Sequence, residues 1–417
     1  MSKQQTNASL RIITIIAMMF LYAMISFVTN LAAPVGKIWE AQPQAEGLGM
    51  LGNLFNFLAY LIMGIPAGAF LAKYGYKKTA ITAVLLGLIG IAIQWLSGQV
   101  NAFWVYLLGA LIAGFCVCML NTVTNPMLNL LGGGGNKGNQ LNLVGGTLNS
   151  LSGALTPMLV GAIVGESLDG KTIADVNIML YIAMAVFALV AIILFIMPIA
   201  EPAGAGQKVV YERSPWAFRH LVLGVIAIFF YVGVEVGVPA TLISYLKPIS
   251  GFAAAGFVAG LYWLLMLLGR FIGSIIGGRV SSKTMVTCVA SLAILLMVCA
   301  IILGDKVMVS LPTSWSFDMK AMPIAALLIM LCGLCTSVMW GCIFNMATEG
   351  LGKYTAKASG IFMMMVVGGG ILPFVQDLIA VNVNCLISYI VPIIGVAYIL
   401  FYALIGSKNV NTDIKVD

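Results

Sequence analysis

Gly68-Ala69-Phe70-Leu71-Ala72-Lys73-Tyr74-Gly75-Tyr76-Lys77-Lys78 separates two long apolar runs, residues 49–72 and 79–97. A related segment closes the eighth apolar run: Gly269-Arg270-Phe271-Ile272-Gly273, then Gly277-Gly278-Arg279. A basic, glycine-rich turn between the second and third helix of each half is an internal repeat. Paired six-helix repeats of this kind place a substrate site at the membrane midplane between them.

Outward from these turns, the apolar runs fall at residues 12–36, 49–72, 79–97, 102–130, 141–165, 178–199, 221–246, 252–278, 284–304, 321–347, 358–381 and 384–406. Each is long enough to cross about 30 Å of hydrocarbon as a helix. Membrane β-strands are shorter and alternate in polarity, and no run does so. The expected fold class is all-α: a polytopic membrane protein of twelve transmembrane helices in two six-helix bundles. The polar stretch 201–220 divides the runs six and six, so the expected organisation is an N-terminal bundle (1–200), a linker (201–220) and a C-terminal bundle (221–417).

Composition agrees. Of 417 residues, 61% are hydrophobic and 8% charged, whereas soluble domains carry about 25% charged residues. A soluble enzyme is excluded, and so is a disordered chain, which is poor in apolar residues and rich in charge. The net charge of +7 is spread singly between apolar runs, which excludes the basic face of a nucleic-acid binder. The eight cysteines lie in or beside apolar runs and read as small apolar residues. The first run is too long for a cleavable signal. With the N-terminus cytoplasmic, fifteen Lys and Arg fall in inner segments and five in outer ones, while Arg270 lies within the eighth run. The expectation is an inner (plasma) membrane protein with both termini in the cytoplasm.

Polar residues inside the runs are the site candidates. Glu235 lies mid-run with no opposite charge at helical spacing. A carboxylate there faces a cavity or a partner: it is a sugar-hydroxyl acceptor, a proton or cation site, or a contact of Arg270. Arg270 itself reads as gating or structural, and Asp377 as a residue that snorkels to water. The amides Asn30, Asn53, Asn56, Asn121, Asn125, Asn149, Asn345 and Gln376 sit in hydrophobic surroundings. Unpaired amides are costly in hydrocarbon, so these face the bundle interior. Asn121 and Asn125 share a helix face at a spacing of four, as Asn53 and Asn56 do at three. Amides supply both donors and acceptors, which suits a ring of sugar hydroxyls; interhelical bonding is the competing role. Tyr22, Tyr60, Tyr231, Trp263 and Trp340 also lie within runs, and Tyr231, Trp263 and Trp340 join the substrate candidates. Gly132–Gly135 lacks the ending of a nucleotide-binding loop. His220 reads as unremarkable. No cofactor or metal is expected.

The repeat resembles the major facilitator superfamily, whose loop between helices two and three has the pattern G-x-x-x-D/K-x-x-G-x-K/R-K/R. Gly68, Lys73, Gly75, Lys77 and Lys78 fit it, with Lys73 where an Asp is usual, and Arg270 and Arg279 occupy the equivalent region of the second half. More closely, the chain resembles the fucose–galactose–glucose:proton symporter family. The resemblance rests on Phe20-Leu-Tyr…Pro34, Asn121-Thr-Val-Thr-Asn125-Pro126…Leu130-Leu-Gly132 and Leu141-Asn-Leu143 with Asn149-Ser150. Tyr231-Val-Gly-Val-Glu235, Leu261-Tyr-Trp263 with Gly269-Arg-Phe271, and Gly368-Gly-Gly370 with Pro373 extend it over nearly the whole chain. The resemblance implies a twelve-helix sugar transporter working by alternating access, with coupling acids on helices one and four. Those positions fall here on Asn30 and Asn121, and an amide does not titrate in this range.

The expected function is therefore transport of a small neutral solute, a monosaccharide first, by a monomer. Glu235 is the remaining coupling candidate, and the driving force is either the solute gradient or a proton or other cation. Competing readings are a transporter of nucleosides, drugs or organic anions, and a non-transporting membrane sensor.

Overall fold

The computed structural model describes residues 3–40, 42–45, 48, 51–164, 173–199, 201, 211–411 and 414–416. Its helices are α1 (Lys3–Glu40), α2 (Leu51–Gln99), α3 (Phe103–Leu131), α4 (Gly135–Val164), α5 (Asn177–Ile196), α6 (Arg219–Ser250), α7 (Phe252–Ile276) and α8 (Ser282–Leu303). Then come strands β1 (Met308–Pro312) and β2 (Met319–Pro323), and helices α9 (Ile324–Thr336), α10 (Met339–Thr348), α11 (Thr355–Met364), α12 (Gly368–Asn382) and α13 (Ile390–Phe401).

Ten helical stretches among the described residues are long and apolar enough to cross a membrane. One of them, α2, has 49 residues and breaks at Gly75 (φ 83°), so it makes two crossings. The 30-residue α4, whose hydropathy is diluted by its own amides, makes the twelfth. Helices α9 and α10 together form crossing ten, and α11 and α12 form crossing eleven. The protein is a multi-pass membrane protein of twelve crossings. The antiparallel β1–β2 hairpin is an addition to the all-helical expectation. It lies in the segment before crossing ten, and its strands end in Pro312 and Pro323.

The turn at Gly75 is organised from a distance. The Glu201 carboxylate accepts hydrogen bonds from the backbone N–H of Tyr76 (2.9 Å) and Lys77 (2.7 Å). The Lys77 ammonium donates to the carbonyls of Phe195 and Met197 at the end of α5. Any side chain at Gly75 would need a positive φ and would place Cβ 2.6 Å from Glu201 Oε2. Lys73 is exposed, its ammonium 5.0 Å from the Tyr74 ring centroid. Glu201 opens the 201–220 stretch, of which residues 202–210 lie outside the described ones.

The two sets of six crossings meet along α2 with α11 and along α4 with α7. Small residues permit the first contact: a Cβ on Gly68 would lie 2.9 Å from Gly360 Cα, and one on Gly64 2.6 Å from Met364 Cα. All eight cysteines are free.

Candidate functional site

Helix α3 carries the centre of the site. Pro126 has no N–H, which strips the Thr122 carbonyl of its helical partner. Ser359 of α11 donates its hydroxyl to that carbonyl at 3.1 Å, tying the two halves together. Just beside it, Asn125 is fully buried. Its Nδ2 donates to the carbonyl of Asn121 (2.9 Å) and to Asn121 Oδ1 (3.2 Å). Its Oδ1 accepts from the Tyr22 hydroxyl of α1 (2.8 Å) and from Trp340 Nε1 of α10 (3.1 Å). Asn121 Nδ2 in turn donates to the Tyr60 hydroxyl of α2 at 2.8 Å. Asn149 of α4 donates to the Tyr22 carbonyl at 2.8 Å. Asn125 thus joins α1 and α3 of the first half to α10 of the second, and α2 and α4 enter the same network through Asn121 and the Tyr22 carbonyl.

A second cluster adjoins the first through the edge-to-face contact of Tyr231 with Trp340, centroids 6.2 Å apart. Here Arg270 Nη2 lies 2.9 Å from Glu235 Oε1, and the Tyr231 hydroxyl donates to the same oxygen at 2.9 Å. Arg270 Nε donates to the Ser337 carbonyl (3.2 Å), while Nη1 reaches across the seam to Ser150 Oγ (2.6 Å) and the Gly146 carbonyl (3.4 Å). A buried guanidinium is tolerated only when paired and hydrogen-bonded, and this one is both. Arg270 therefore sits inside the bundle and binds Glu235, one of the roles open to that carboxylate from sequence.

Not every candidate joins these clusters. Trp263 is 43% exposed on the outer surface, with its ring against Tyr262; the buried partner there is Tyr262, whose hydroxyl lies 3.0 Å from Thr336 Oγ1. Helical rotation by one residue separates the two, and no run-level pattern distinguishes them. Asn56 faces Gly114 of α3 within the first half, and Gln376 faces Gly237 of α6 within the second. Asn53 is half-buried, Asp377 and Arg279 are exposed, and the side chain of Asn30 lies outside the described residues. Asn345 belongs to the end of the seam nearest the Gly68–Lys78 turn, where it bonds Asn129 and Ser282. Residues not among the sequence candidates are Tyr22, Tyr60, Ser150 and Asn129. Asn129 had a signal: it continues the four-residue spacing of Asn121 and Asn125.

Chemically, the joined clusters offer amide, phenol, indole and serine groups around an ion pair that is neutral as a whole. Such a surface offers both hydrogen-bond donors and acceptors and carries no excess charge.

Twelve crossings in two pseudo-symmetric sets of six, with a polar seam between them, define a membrane carrier. The chain belongs to the Major Facilitator Superfamily, whose profile matches residues 15–373; it is a transporter and not an enzyme. It is similar to the glucose/galactose transporter of Brucella abortus biovar 1 (strain 9-941), with 30% identity over 374 residues, 86% of this chain and 85% of that protein. It is also similar to the putative glucose/galactose transporter of Helicobacter pylori (strain ATCC 700392 / 26695), with 29% identity over 430 residues, 97% of this chain and 99% of that one. The crystal structure of the E. coli fucose:proton symporter FucP superposes with a TM-score of 0.78 over 95% of this chain and 100% of that one, at 22% identity, a likeness of fold.

Proposed function

We propose that the protein carries a monosaccharide across the inner membrane by facilitated diffusion. The observation that carries this reading is Asn125, held at the seam by Tyr22 and Asn121 from the first half and by Trp340 from the second. Sugar hydroxyls replace such neutral donors and acceptors one for one, and the names of the Brucella and Helicobacter relatives support a hexose cargo. The 1–200 and 221–417 bundles rock about this seam, joined by the 201–220 linker. The Lys and Arg distribution supports a cytoplasmic location for both termini and for the Gly68–Lys78 turn. The hydrogen bonds that join the halves between Asn125 and that end support a resting state closed on the cytoplasmic side.

The absence of coupling follows from Glu235. A proton placed on Glu235 would leave the Arg270 guanidinium buried without its counter-charge, which is costly, and Asn121 cannot take a proton instead. The amides at Asn30 and Asn121 support the same reading. Reconstituted protein should equilibrate D-glucose or D-galactose without concentrating it, at a rate indifferent to an imposed pH gradient. Uphill accumulation driven by that gradient would overturn the facilitative reading.

A further inference from the structure

Beyond the central cluster, α3 continues its ladder: Asn121, Asn125 and Asn129 stand on one face at successive helical turns. Asn129 Nδ2 donates across the seam to Asn345 Oδ1 at 2.6 Å, and Asn345 Nδ2 donates to Ser282 Oγ at 2.9 Å. Asn345 and Ser282 both line a half-open cleft of about 710 Å³, shared with Asn136, Lys283, Glu349 and Lys408. That volume is within the usual range for small-molecule sites, about 300–1,000 Å³. From Asn125 the seam runs one helical turn along α3 to this amide pair, and the cavity opens directly behind the pair.

The neighbouring strip of α4 has the complementary property. Asn139 and Asn142 are almost completely buried, yet Asn139 Oδ1 and both polar atoms of Asn142 have no hydrogen-bond partner. Asn139 Nδ2 meets only the Cys342 sulfur of α10, at 3.4 Å. Buried amides without partners disfavour the state that buries them. When the seam parts, they gain water or hydroxyl groups. A plug of apolar side chains would have no such pull toward opening, and an ion pair could not be exchanged for neutral hydroxyls.

From these contacts we infer that the Asn129–Asn345 pair is the inner gate of the carrier, and that the chamber behind it, with Asn139 and Asn142 beside the seam, is a second station for a polyhydroxylated solute on its way out. The solute class rests on the monosaccharide reading above; the gate does not. In the closed state Asn129 donates to Asn345 and Asn345 to Ser282, and in the open state hydroxyls of the departing solute take over these bonds.

Two readouts on proteoliposomes of the full chain test this. One is D-glucose and D-galactose counterflow. The other is N-ethylmaleimide labelling of Cys342, located by peptide mass spectrometry with all native cysteines retained. Losing one amide should cut counterflow roughly tenfold in Asn345→Leu and Asn129→Leu, and shifting the population toward the open end should raise Cys342 labelling by about threefold or more. Asn345→Gln, which keeps the amide, should retain a substantial part of the counterflow and so guards against a folding defect in the leucine variants. Wild-type counterflow in both leucine variants would overturn the gate, as would lost counterflow with unchanged Cys342 labelling. If the wild-type protein exchanges neither hexose, the sugar reading fails, while a rise in Cys342 labelling in the leucine variants still upholds the gate.

Discussion

Arg270 Nη2 and Glu235 Oε1 are 2.9 Å apart, on adjacent crossings, with both side chains largely buried. The same guanidinium bonds Ser150 on the opposite half, so a buried charge pair within one bundle is also a clasp between the two. Removing one member of a buried pair strands the other, at a cost of about 3–5 kcal/mol. Arg270→Gln and Glu235→Gln should each lower the melting temperature of the detergent-solubilised protein sharply, with the double variant closer to wild type. A loss in the double variant equal to the sum of the two single losses would show that the pair does not act as a unit.

Restoring titratable acids tests the meaning of the amides. Asn30→Asp combined with Asn121→Glu should confer accumulation of hexose that depends on an inward proton gradient, measured in energised vesicles. If transport persists in the double variant without any such dependence, the correspondence of these positions to coupling acids is mistaken.

Glu201 supports the turn at Gly75 through two backbone N–H groups. Glu201→Ala leaves both donors without their acceptor and, like the loss of a helix cap, should cost about 1–2 kcal/mol. Gly75→Ala adds strain of about 1–3 kcal/mol at φ 83°, ψ 176° and a clash with the Glu201 carboxylate. Thermal unfolding of each variant reads both effects, and the two should be less than additive because they act on the same contact.

The crossing of α2 and α11 leaves no room for a side chain at Gly68. Gly68→Val should overpack it, costing about 1–3 kcal/mol of the closed arrangement. Accessibility of the buried Cys342 to maleimide should then rise through a wedge that touches neither the central cluster nor the Asn129–Asn345 pair. Unchanged accessibility would mean that α2 and α11 do not separate when the inner end opens.

Much of the scaffold was legible in the sequence because hydrophobicity in a bilayer is a one-dimensional signal: a run of about twenty apolar residues makes a crossing wherever it packs. The short hairpin was not, since strands of five residues between crossings carry too little pattern. Asn121 and Asn125 stood out because polar groups inside an apolar run demand partners. Trp263 was misplaced, and Tyr262, its neighbour, took the buried position, because a rotation of about 100° per residue separates lipid-facing from interior side chains.

By itself, then, the sequence determined twelve crossings, two related halves and a neutral amide-rich interior, all consequences of which residues hydrocarbon will accept. Only the tertiary structure decided that Glu235 is spoken for by Arg270, that Glu201 caps the backbone at Tyr76 and Lys77, and that Asn129 bonds Asn345 across the seam. The residues of those pairs lie 35, 124 to 125 and 216 positions apart in the chain. Hydrogen bonds and ion pairs act over about 3 Å, so only the packing of the helices can say which polar groups meet.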